Sequence, residues 1–72
     1  MVEVFKTNVT EDVEAVKLLE HFNKVKPHYK VNFDLQDCDK IFRVESAKEI
    51  LVDDVISILQ EYGFKADILP DI

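Results

Sequence analysis

The spacing of apolar positions switches along the chain between two and three-to-four, and each stretch of constant spacing predicts one element. From Met1 to about Thr7, Val2 and Val4 alternate with Glu3 in a Val- and Phe-rich run, which predicts a strand. Asn8 or Thr10 then supplies a helix cap. Asn8 with Glu11 has capping-box spacing, and Glu11 and Asp12 place negative charge at the positive end of the helix dipole. Val13, Val16, Leu19 and Phe22 follow as an amphipathic stripe, widened by Ala15, Leu18 and Val25. Lys24 and Lys26 suit the last turn, and Pro27 ends the helix because it fixes φ and restricts the residue before it.

The clearest alternation is Tyr29-Lys30-Val31-Asn32-Phe33-Asp34-Leu35, a strand with one buried and one wet face. Gln36-Asp37-Cys38-Asp39 reads as a turn. Ile41-Phe42-Arg43-Val44-Glu45 returns as a second strand with Phe42 and Val44 inward, so the pair forms a hairpin. Ser46 with Glu49 would start a second helix early, whereas the continuous run Ile50-Leu51-Val52 favours a start near Val52. Val52, Val55, Ile56, Leu59 and Tyr62 make its stripe, and Gly63 stands where a left-handed residue closes a helix. Phe64 to Ile68 alternates again as a last strand, ended by Pro70.

Strand, helix, strand, strand, helix, strand is the order of two right-handed crossovers joined by a hairpin. The fold class is α+β: a ferredoxin-like βαββαβ sandwich whose four-stranded antiparallel sheet carries two helices on one face. Six elements use almost the whole chain, so residues 1–72 are expected to form a single domain.

With that order, Val13-Glu14-Ala15-Val16 resembles the start of the first helix in heavy-metal-associated domains, the small copper and zinc chaperone modules. Ile58-Leu59-Gln60-Glu61-Tyr62-Gly63-Phe64-Lys65-Ala66 resembles the same family's second helix running through Gly-aromatic-x-Ala into the last strand. The resemblance implies the ferredoxin-like fold. It also implies a Met-x-Cys-x-x-Cys loop before the first helix, where two thiolates grip a soft ion. Counting back from Val13, those cysteines would fall at Val9 and Asp12, and neither is a thiol. The thiolate function is therefore not carried over, and a shared scaffold does not by itself confer an activity.

Composition narrows the remaining choices. At 47% hydrophobic the chain is too apolar to be disordered. Nine basic against fifteen acidic residues give a net charge of −6, and Arg43 is the single arginine. Nucleic-acid backbones and anionic membrane surfaces are poor partners for such a chain. No apolar stretch approaches the ~20 residues that span a bilayer. No signal-peptide pattern opens the chain, and one cysteine cannot close an intrachain disulfide, so a reducing cytoplasmic setting is expected.

Cys38 is an exposed-turn thiol on this reading, flanked by Asp37 and Asp39, whose charges oppose thiolate formation. Asp34, Asp37 and Asp39 fail the calcium-loop pattern, because the slots that need a third ligand and a glycine hold Ile41 and Phe42. His21 and His28 are seven apart and lack the four-residue spacing of a helical zinc pair. Ser46 and Ser57 lie in no nucleophile motif, and the one glycine leaves no phosphate-cradling loop. No enzyme, cofactor or resident metal is expected.

If Val2 and Val4 face the helices, Phe5 faces away, and Ile41 does so when Phe42 points in. Phe5, Ile41 and Arg43 are thus expected as a small apolar and cationic patch on the open sheet face. Ile41 to Glu45 lacks the Gly and the aromatic pair of an RNA-binding strand. The expectation is a non-catalytic binding module, meeting a protein partner or a second copy through the sheet face or edge. The competing reading is a metal handler using Cys38 with a histidine or carboxylates.

Overall fold

The computed structural model describes residues 1–36 and 38–69. Among these residues, four strands and two helices form in the expected order: β1 (Val2–Thr7), α1 (Asp12–Val25), β2 (Lys30–Asp34), β3 (Ile41–Glu45), α2 (Val52–Glu61) and β4 (Ala66–Leu69). The sheet is antiparallel throughout, in the order β2-β3-β1-β4, so β1 and β3 are central and β2 and β4 are edges. The chain therefore has a ferredoxin-like α+β fold.

Register decides which side chains share a face. Phe42 lies opposite Phe5 in β1 and opposite Phe33 in β2, and directly opposed residues point the same way. Phe5, Phe22 and Phe42 are fully buried, and Phe42 meets the Phe5, Phe22 and Phe33 rings at centroid distances of 6.3, 5.0 and 4.6 Å. Leu18, Val44, Val55 and Leu59 complete the centre of this core. The expected orientation of β1 is thereby reversed. Phe5 and Thr7 face the helices, while Val2 and Val4 lie on the other side with Val2 nearly half exposed. Burying the Phe5 ring against Phe42 outweighs burying two smaller valines. Thr7 satisfies its hydroxyl in place, donating to the Lys40 carbonyl at 2.6 Å and accepting from the Val9 amide at 3.3 Å.

Helix α1 is likewise rotated from its expected stripe. Ala15, Leu18 and Phe22 are buried, whereas Val13, Val16 and Val25 are 64%, 52% and 43% exposed. The 15-18-22 series has helical spacing too, and the larger side chains of Leu18 and Phe22 draw it inward. Neither Asn8 nor Thr10 caps the helix; Glu11 is the first flanking residue and makes no side-chain cap bond. Asn8 instead accepts the Lys65 amide at 2.8 Å, tying the β1–α1 loop to the α2–β4 loop.

Helix α2 starts at Val52, as the apolar run predicted. The Ser46 hydroxyl accepts the Lys48 amide at 3.1 Å, a local turn that leaves it no capping role. The Tyr29 hydroxyl accepts the Leu51 amide at 3.1 Å at the helix start. The far end closes on Gly63 at φ 85°. There the Gly63 amide bonds the Gln60 carbonyl and the Phe64 amide bonds the Leu59 carbonyl, the paired bonds of a Schellman motif. The expected strand end at Pro70 lies outside the described residues, as does Asp37 of the hairpin turn.

Candidate functional site

Three loops meet at one end of the sheet. The Thr7 amide bonds the Asp39 carbonyl at 3.1 Å, bringing the β2–β3 turn against the end of β1. The Asn8–Lys65 bond adds the α2–β4 loop. At this end the Val9 side chain is fully buried and belongs to the core, while Asp12 is exposed at the start of α1. The loop from Asn8 to Glu11 contains no sulfur, and its central side chain serves packing. Neither Val9 nor Asp12 offers the thiolate chemistry of a soft-metal loop.

Cys38 is exposed in the β2–β3 turn, at the same end of the molecule. Both histidines lie elsewhere. His28 precedes β2 and Cys38 follows it, and five strand residues at ~3.4 Å each hold them some 17 Å apart. His21 lies nine residues into α1 from its start at this end, a rise of ~13 Å. Metal–ligand bonds are only ~2.0–2.3 Å long, so one ion does not bridge Cys38 to either imidazole. His21 packs its ring on Tyr62 at 5.2 Å and His28 packs on Tyr29 at 4.6 Å. Asp34 accepts the Gln36 amide at 3.2 Å, and Asp39 pairs with Lys6 at 3.8 Å. Among the described residues, no three of His, Cys, Asp and Glu converge as a metal would need.

The sheet face without helices carries Val2, Val4 and Lys6 from β1, Ile41, Arg43 and Glu45 from β3, and Asp67 and Leu69 from β4. Of the patch expected from the sequence, Ile41 and Arg43 are on this face and Phe5 is not. Phe5 is removed from it by the reversed orientation of β1. Its place is taken by Val4, which lies opposite Leu69 on one side and Arg43 on the other, with Ile41 diagonal to it. Ile41 is only 8% exposed despite facing away from the helices, while Val4 and Leu69 are half-buried. Lys6 faces Asp67, and Lys30 of β2 faces Glu45 across the same surface. Arg43 faces only Val4 and Asn32, is exposed, and has no ion-pair partner among the described residues. An apolar centre with an uncompensated guanidinium is chemistry suited to binding, since it offers contact area and a planar hydrogen-bond fork. Val4 and Leu69 were not singled out from the sequence. The available signal was apolar residues at both parities of β1, which marks a central strand with something to bury on each side.

A solved structure matches this arrangement over almost its whole length. The yeast copper transporter domain CCC2A, determined in solution in apo and Cu(I)-loaded states, superposes with a TM-score of 0.78, covering 99% of this chain and 97% of that one. The chain has the fold of that copper domain. Sequence identity is 18%, so the likeness is one of fold. No protein-family model and no curated protein matches the chain. With Cys38 as its single cysteine, the chain carries the copper-domain fold without a Cys-x-x-Cys motif.

Proposed function

We propose that this chain is a non-catalytic protein-interaction module, a single domain that keeps the copper-domain scaffold and uses the open face of its sheet as a contact surface. The observation supporting this most directly is Arg43, exposed and without an ion-pair partner among the described residues, beside the apolar group of Val4, Ile41 and Leu69. A partner surface with an apolar centre and a carboxylate placed for bidentate pairing would complement it. The net charge of −6 keeps nucleic acid and anionic membrane out of the partner list. No helix is long and apolar enough to cross a membrane among the described residues. A cytoplasmic setting fits a lone exposed thiol.

Capture of partners from extract by wild-type protein, beside Arg43→Glu and Val4→Glu, tests the surface. Both variants should fold and lose the same captured proteins, whereas unchanged capture by both would remove the open face from consideration. Phe5→Glu is unsuitable for this purpose, since it would bury a carboxylate in the core and unfold the domain.

A metal-handling role would rest on Cys38 with carboxylates alone, because the fold holds both histidines far from the thiol. Asp39 already pairs with Lys6. Calorimetric titration with Cu(I) and Zn(II), with Cys38→Ser as control, separates the two readings.

A further inference from the structure

Edge strand β2 pairs with β3 on one side only among the described residues, leaving a row of backbone donors and acceptors on the other. Beside that edge runs a groove of about 440 Å³ between α1 and β2, walled by Val16, Leu19, Phe33 and Leu35. Val16 is 52% exposed and the other three are half-buried, so apolar surface continues from the helix onto the strand edge.

The sequence of β2 is self-complementary about its centre. Two antiparallel copies can pair only in registers where opposed residues share a face, which requires their numbers to sum to an even value. The sum of 64 satisfies this and pairs all five residues. Asn32 meets its own copy, Val31 meets Phe33 on the helix side, and Lys30 meets Asp34 on the open side, twice over. Lys30, Asn32 and Asp34 are all exposed. The other edge lacks this property. Strand β4 has four residues, Ala66–Leu69, so pairing its whole length with a copy needs the odd sum of 135 and puts opposed side chains on different faces.

We propose that β2 is a homodimer edge, joining two copies antiparallel about Asn32 into one eight-stranded sheet. The two α1 helices then flank the two-fold axis and close the grooves against one another through Val16 and Leu19. The interface is isologous, so each contact occurs twice. It lies at a different place from the open-face patch around Arg43 and stands without it. The net charge of −6 on each copy opposes association and makes the assembly concentration-dependent.

Sedimentation velocity at two protein concentrations about a hundredfold apart tests this directly. The wild type should shift from monomer toward dimer. Lys30→Asp sets like charges against each other at both pairs and should weaken the dimer about tenfold or more, leaving the Asp34 turn bond intact. Asp34→Lys should weaken it comparably, and the double variant Lys30→Asp, Asp34→Lys should restore it. Circular dichroism confirms that each variant is folded. Arg43→Glu should leave the dimer unchanged while abolishing partner capture, so the two surfaces fail separately. A wild type that stays monomeric at both concentrations overturns the proposal. So does a dimer indifferent to the single reversals, or one not restored by the double.

Discussion

Phe42 and Arg43 are neighbours in β3, and they belong to different worlds. Phe42 points to the helices and meets three other phenylalanines, while Arg43 points to solvent from the open face. The other strands also alternate between the two faces, so one face of the sheet packs on the helices and the other is open. The two faces also differ in what they tolerate. The helix face is close-packed and responds to loss of volume. On the proposed reading, the open face responds instead to changes in the charge and shape it presents to a partner.

The largest expected effect comes from emptying the helix face. Phe42→Ala should cost about 3–5 kcal/mol in chemical denaturation, a large share of the ~5–15 kcal/mol typical of a folded domain. Arg43→Ala, one residue along, should stay within about 0.5 kcal/mol. Equal losses at the two positions would break the division. Val9→Ala should cost about 2 kcal/mol, because the loop side chain is part of the core. A negligible loss would mean that the β1–α1 loop is open, as a ligand loop would be. Gly63→Ala should lower stability by about 1 kcal/mol: a Cβ there meets no atom within 4 Å, so the penalty is that of φ 85° alone. The smallest effect is expected at the Lys26–Asp54 bridge joining α1 to α2, where Asp54→Asn should cost less than about 1 kcal/mol.

Much of the fold was legible in the residues. The alternation in β2, the start of α2 at Val52 and the left-handed Gly63 are local signals, set by side-chain period and backbone sterics. The orientation of β1 was not local. With apolar residues at both parities, its choice depended on Phe42 lying opposite Phe5, a pairing across 37 positions of chain. The same holds for α1, where two helical stripes overlap and packing against the sheet selected Ala15, Leu18 and Phe22. The open-face patch was consequently half legible. Ile41 and Arg43 followed from the clear alternation of β3, whereas Val4 and Leu69 required the register. The absence of a thiolate pair needed only a count of cysteines, and the burial of Val9 shows what fills that part of the loop.

The most direct test of that absence is calorimetric titration of the reduced protein with Cu(I), repeated on Cys38→Ser. A copper-domain fold that holds no thiolate pair should give no saturable heat in either protein. A one-to-one saturable heat in the wild type that disappears in Cys38→Ser would contradict it, and would make the chain a metal handler built on a single turn cysteine.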